Sequence, residues 1–106
     1  MEFRIDLQTI ELEPDGEVLR IWLNRPESRN AHNLKMIQEV GDLFIALNSQ
    51  TDFRVAVLGG RGKSFCAGAD RKEQLAPPVN DLQARYTGQL GRRAARAIED
   101  CEVVTI

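Results

Sequence analysis

Two cysteines, one histidine, one tryptophan and one tyrosine are all that this 106-residue sequence holds of several chemistry-bearing side chains. Cys66 and Cys101 stand far apart with no Cys-x-x-Cys spacing, and a single histidine cannot complete a Cys/His set. A structural zinc site is therefore not expected, nor any other metal, and both thiols read as reduced. Long apolar runs are missing too. No stretch approaches the ~20 apolar residues of a membrane span, and Met1-Glu2-Phe3-Arg4-Ile5-Asp6 lacks the positive end and apolar core of a signal peptide. The expectation is a cytoplasmic protein with no membrane partner. Neither sign of charge dominates: 14 Lys and Arg against 16 Asp and Glu leave a formal charge of −2, with no basic run of the kind that tracks nucleic acid. Basic residues cluster only locally, at Arg20, Arg25 and Arg29, at Arg61 and Lys63, and at Arg92, Arg93 and Arg96. Each cluster reads most simply as a solvated face, although a polyanionic small molecule could use one.

What is present is an ordinary globular composition, 42% apolar and 28% charged, enough for one core. Residues 3–12 alternate loosely between apolar and polar, Glu13-Pro14-Asp15-Gly16 supplies turn chemistry, and Val18-Leu19-Arg20-Ile21-Trp22-Leu23 reads as a second strand. Pro26 keeps the polar segment 24–32 a loop. Asn33 can cap a helix over about 33–49, with Leu34, Ile37, Val40, Gly41, Phe44 and Leu47 on one stripe. Val55-Ala56-Val57-Leu58, apolar on both sides, suits a central parallel strand covered by helices on each face, so the fold class is α/β with a right-handed strand–helix–strand crossover. A Gly-rich turn over 59–68 leads to a helix start capped by Asp70, ended by Ala76-Pro77-Pro78. A further helix over about 80–99 would turn Leu82, Tyr86, Leu90, Ala94, Ala97 and Ile98 inward, with Gly88 and Gly91 weakening its middle. Val103-Val104-Thr105-Ile106 is β-branched throughout and reads as another buried strand. Because a buried parallel strand normally feeds another loop and helix, residues 1–106 read as a single partial domain, truncated after the strand at 103–106.

The segment Gly59-Gly60-Arg61-Gly62-Lys63-Ser64-Phe65-Cys66-Ala67-Gly68-Ala69-Asp70 sits between strand and helix start, where main-chain N–H groups converge on ligands in α/β folds. It is not a nucleotide motif. The phosphate loop would need Gly where Val57 stands, and the dinucleotide fingerprint would need its third Gly at Phe65 or its second at Arg61. What remains is a small-residue run, Ala67-Gly68-Ala69, that lets the main chain approach a ligand and present N–H donors, a place suited to a carbonyl oxygen gaining negative charge. Packing alone would also account for small residues in a tight turn.

Two segments together go further. Leu23-Asn24-Arg25-Pro26-Glu27-Ser28-Arg29-Asn30-Ala31-His32-Asn33 and Ser64-Phe65-Cys66-Ala67-Gly68-Ala69-Asp70-Arg71-Lys72-Glu73, with the stretch Arg96-Ala97-Ile98-Glu99-Asp100-Cys101, resemble the enoyl-CoA hydratase/isomerase (crotonase) family along the whole chain. The resemblance implies the amino-terminal part of a crotonase-like spiral of β-β-α units that binds acyl-CoA thioesters. Two backbone N–H groups there polarise the thioester carbonyl and stabilise an enolate, and Ala69 matches the first donor. By the same likeness Arg29, Asn30 and Ala31 lie along the coenzyme A, while Ala67, Gly68, Asp70, Arg71 and Lys72 line the thioester and the bent ligand, with Arg29 and Lys72 near its phosphates. Coenzyme A enters as part of the substrate, with no permanently bound cofactor, and the complete protein would be a trimer or hexamer.

The resemblance also places the second oxyanion donor and the acid–base glutamates beyond Ile106. Glu73 and Glu99 have no credentials for that work, so the 106 residues alone are expected to be inactive. Arg71 stands where the family usually has an aliphatic side chain, which alters the pocket wall. His32 replaces a commonly apolar residue and reads as a packing residue rather than a catalyst. Cys66 has no base partner for a nucleophilic role, and Asp70 is most simply a helix cap. A noncatalytic acyl-CoA-binding or assembly module is the alternative to a hydratase or isomerase.

Overall fold

The computed structural model describes residues 7–70, 72 and 80–106. Four strands form one sheet in the order β1-β2-β3-β4: β1 (Ile10–Asp15), β2 (Val18–Leu23), β3 (Val55–Gly60) and β4 (Val104–Thr105). β1 pairs antiparallel with β2, and β3 lies parallel to both β2 and β4; the buried strand expected over 103–106 is corrected, because β4 is an edge strand of two residues with Val104 and the following Ile106 exposed. Helix α1 (Leu34–Leu47) connects β2 to β3 and helix α2 (Asp81–Asp100) precedes β4.

Period-two alternation in β2 fixes which face is inside. Leu19, Ile21 and Leu23 are buried, whereas Val18, Arg20 and Trp22 take the other face. Across the register, Ile10 and Leu12 of β1 and Ala56 and Leu58 of β3 join the inner face. The expected cover of the central strand by helices on each face is corrected: both described helices pack on the inner face, and on the outer face Trp22 lies beside Gly59, where a Cβ would come within 2.9 Å of the indole. The Arg61 guanidinium stacks 4.2 Å from the centre of the same ring and reaches Glu11 at 2.9 Å.

The expected turn at Glu13-Pro14-Asp15-Gly16 is corrected: β1 runs on to Asp15, and Pro14 pairs with Leu19 inside the strand. Its missing N–H does no harm there, because β1 is an edge strand, and the reversal falls on Gly16, at φ 60°. The part of the expected first strand at residues 3–6 lies outside the described residues, as does the helix end at Ala76-Pro77-Pro78.

Asn33 caps α1, its side-chain oxygen accepting from the Met36 N–H at 2.9 Å. The helix is buried at Met36, Glu39, Gly41, Leu43, Phe44 and Leu47. The expected stripe is thus rotated: Leu34 and Ile37 are only half-buried, while Met36 and Leu43 sit fully inside. The reason is that α1 has two neighbours, the sheet on one side and α2 on the other. Gly41 is the close-approach point to α2, with Ala94 Cα 3.5 Å from where a Cβ would stand. Burying each large aliphatic or aromatic side chain in this cluster contributes roughly 1.5–3 kcal/mol.

α2 needs a larger correction. Leu90 and Ala94 are buried and Ala97 and Ile98 pack partly against the core, but Leu82 and Tyr86 are 75% and 53% exposed. Gly41 meets Ala94 and the Asn48 side chain accepts from Glu102 N–H, so the helices run side by side in the same direction. At that offset the first turns of α2 extend past the beginning of α1, which leaves Leu82 and Tyr86 nothing on α1 to pack against. Among the described residues, no helix is long and apolar enough to cross a membrane.

Glu39 is a buried carboxylate on the sheet side of α1, 2% exposed. Its oxygens accept from Gln8 N–H at 2.8 Å, Thr9 N–H at 2.8 Å and the Thr9 hydroxyl at 2.6 Å, which ties the chain leading into β1 to the helix. Replacement Glu39→Leu keeps the volume and orphans three donors. It is expected to cost about 3 kcal/mol, the scale of an unmade buried charge-assisted set, measured by urea denaturation; a change below the error of that measurement would show that the carboxylate is dispensable.

Candidate functional site

Two loops at the same end of the sheet make the site, one leaving β2 and the other leaving β3. The first begins with a short 3-10 turn at Pro26–Ser28, after which Arg29 and Asn30 both adopt left-handed backbone, at φ 54° and 55°. Asparagine tolerates that conformation and arginine does so less readily. The pair is held because Asn30 is completely enclosed, at 0% exposure. Its side-chain oxygen accepts from Arg25 N–H at 2.7 Å, and its amide donates to the carbonyls of Arg61 and Ser64, both at 2.8 Å. One side chain from the first loop thus fastens the second at two points.

Three main-chain bonds continue the fastening. Ala67 N–H donates to Arg29 C=O at 3.0 Å, His32 N–H to Gly68 C=O at 2.9 Å, and Asp70 N–H to His32 C=O at 3.0 Å. The last two form an isolated parallel bridge between His32 and Ala69. In a parallel bridge the residues flanking the bridged one make the bonds, so the N–H of Ala69 itself points to the side away from His32. None of the described residues accepts from it. Gly68 reaches this geometry with φ at 102°, which side-chain-bearing residues rarely adopt. At Gly60, a Cβ would lie 2.5 Å from the carbonyl oxygens of both Ser64 and Phe65, so the second loop can fold back on β3 only over a glycine.

The loops border a cleft of about 520 Å³ lined by Arg25, Ser28, Ala31, Ala67, Ala69, Asp70 and Lys72. Arg25 and Asp70 form an ion pair at 3.1 Å with side chains only 17% and 13% exposed, and Arg25 also donates to Ala31 C=O. The second Asp70 oxygen accepts from Lys72 N–H at 2.9 Å, the capping contact expected of it. Of the residues singled out in the sequence, Ala31, Ala67, Ala69, Asp70 and Lys72 meet at the cleft. Arg29, Asn30 and Gly68 do not line it: Arg29 is exposed, Gly68 half-buried and Asn30 sealed inside, and Arg71 lies outside the described residues. Arg25 and Ser28 were not named as site residues; both fall in the segment Leu23–Asn33 that carries the family resemblance, and Arg25 also belongs to a local basic cluster. His32 Nδ1 and Trp22 Nε1 are buried without a partner. Among the described residues, no three His, Cys, Asp or Glu side chains gather as metal ligands would.

Residues 13–106 match the family model described as enoyl-CoA hydratase/isomerase. The chain belongs to that family. It is 43% identical over 72 residues to mevalonyl-coenzyme A hydratase sidH of Aspergillus fumigatus, covering 68% of this chain and 25% of that protein. To the short-chain-enoyl-CoA hydratase of Clostridium acetobutylicum it is 31% identical over 96 residues, 90% of this chain and 36% of that one. The crystal structure of an enoyl-CoA hydratase/isomerase from Mycobacterium paratuberculosis superimposes with a TM-score of 0.86 at 27% identity, over 95% of this chain and 41% of the other. The fold is therefore crotonase-like, and the chain spans between a quarter and two fifths of the length of these family members.

The Asn30 amide is expected to be the least replaceable group of the site. Asn30→Asp is isosteric, yet it sets a carboxylate oxygen against two carbonyl oxygens in place of two N–H donors. A loss of about 3 kcal/mol is expected, read as a fall in the urea midpoint; stability equal to the parent would contradict the bonding described.

Proposed function

We propose that the cleft binds the thioester end of an acyl-coenzyme A, and that the Ala69 N–H donates to the thioester carbonyl oxygen as one half of an oxyanion hole. The observation that carries this reading is the direction of that amide: its neighbours at 68 and 70 are consumed by the bridge to His32, and Ala69 itself lines the cleft. An N–H fixed in advance needs no reorganisation as charge builds on the oxygen, and removing one such donor typically costs about 3–4 kcal/mol of transition-state stabilisation. Ala67 and Ala69 leave the approach to the main chain open, since neither carries a side chain beyond Cβ. Lys72, exposed and lining the cleft, would meet a phosphate of the ligand as a point charge on a flexible stem.

In the complete protein, the reading is hydration or isomerisation of the acyl group through an enolate. A second N–H and the acid–base carboxylates would come from chain beyond Ile106. Coenzyme A arrives with the substrate rather than as a resident cofactor, the assembly is a trimer or hexamer, and the location is cytoplasmic. The family match supports the reaction class, because hydration and isomerisation share the same carbonyl-polarising device.

Infrared difference spectra of [1-13C]crotonyl-CoA with and without the protein provide the test. A donated hydrogen bond lowers the thioester carbonyl stretch on binding, and Ala69→Pro, which has no N–H, is expected to abolish most of that lowering. A bound thioester whose carbonyl stretch equals that in water, or one indifferent to Ala69→Pro, would reject the reading.

A further inference from the structure

We propose that Arg25 is a positioning residue for the Ala69 amide, acting through Asp70, and that the pair sets how strongly a bound thioester carbonyl is polarised. This deepens the functional reading above and rests on it. The bridge between His32 and Ala69 consists of only two hydrogen bonds, and the Asn30 side chain that aligns the loops bonds no residue of the bridge, so a further tie is needed to keep the bridge closed. The Arg25 guanidinium does this from both sides at once. One terminal nitrogen donates to the carbonyl of Ala31, immediately before His32, and the other pairs with the carboxylate of Asp70, immediately after Ala69. A single rigid fork thereby spans the bridge on the cleft side, with Asp70 fixed in turn by its contact to Lys72 N–H.

The position of Arg25 is itself determined. Its main-chain N–H is held by the Asn30 oxygen, and its carbonyl accepts from the N–H groups of Ser28 and Asn30. The guanidinium therefore leaves a fixed stem. Low exposure of both partners keeps water from competing for the pair. A planar five-donor group is what the geometry requires, because the ammonium of a lysine is a compact point charge that cannot reproduce the fork's two divergent bonds. Without the fork, residues 31–32 and 69–70 could separate while the core beneath stayed packed. The Ala69 N–H would then sample directions away from the ligand oxygen.

Arg25→Lys and Asp70→Asn test this in the 106-residue chain. Amide hydrogen exchange without ligand is expected to quicken about tenfold at His32 and Asp70, the effect of losing one charge-assisted hydrogen bond, while core amides of α1 keep their protection. With [1-13C]crotonyl-CoA bound, both variants are expected to lose much of the carbonyl-stretch lowering of the parent. A merely structural role would lower the thermal midpoint and leave the stretch of the folded, bound fraction unchanged. That result overturns the proposal, as does unaltered exchange at His32 and Asp70. Should Arg25→Lys not fold, Asp70→Asn, which keeps the shape and one acceptor oxygen, decides alone. If the parent itself shows no carbonyl shift, the oxyanion reading fails and takes the polarising role with it. Exchange then still reports separately whether the fork holds the bridge.

Discussion

The two loops of the cleft are held together by a side-chain amide that solvent never touches. Asn30 carries its oxygen to one main-chain N–H of its own loop and its nitrogen to two main-chain carbonyls of the other. Three backbone groups that would otherwise be buried unpaired are satisfied by one residue, and leaving such groups unmade costs far more than the net gain of any one bond. Once the loops are fastened there, the bonds from Ala67, His32 and Asp70 fall into register behind it, and the backbone amide at Ala69 has only the cleft to face.

Beneath the loops the core serves chiefly as a platform. The inward alternation of β2 against Met36, Leu43, Phe44 and Leu47 of α1 sets where β2 and β3 end, and both loops depart from those ends. The buried carboxylate of Glu39 locks the entry to β1 onto the same helix. Rigid elements carrying short, internally bonded loops are the arrangement that fixes a donor to within a fraction of an ångström. Charge on the outer sheet face, with Arg61 over Trp22 and toward Glu11, is more exposed and contributes less.

Features written in local chemistry were legible in the sequence. The β2 strand, the Asn33 cap, the central parallel strand with its glycine-rich turn, and the small residues of 67–69 each follow from neighbours a few positions apart. What escaped depends on partners 30 to 45 positions away. A glutamate on a helix stripe reads as solvent-facing until the N–H groups of Gln8 and Thr9 are known to lie against it. Asn30 reads as a loop residue near a ligand rather than a sealed strut, and nothing local pairs Arg25 with Asp70. Leu82 and Tyr86 carry a helical apolar period without a neighbour in reach, because period reports amphipathicity and not the length of the facing helix. Pro14 reads as a turn residue because an edge position cannot be recognised before the strand order is known.

The proposed polarising role of the Ala69 N–H is measured most directly by the behaviour of that amide toward a thioester. Amide NMR of the uniformly 15N-labelled chain, titrated separately with crotonyl-CoA and with coenzyme A lacking an acyl group, isolates it. The account predicts a downfield move of the Ala69 amide proton with the thioester that free coenzyme A does not produce. An Ala69 resonance that responds equally to both ligands, or to neither, would contradict it.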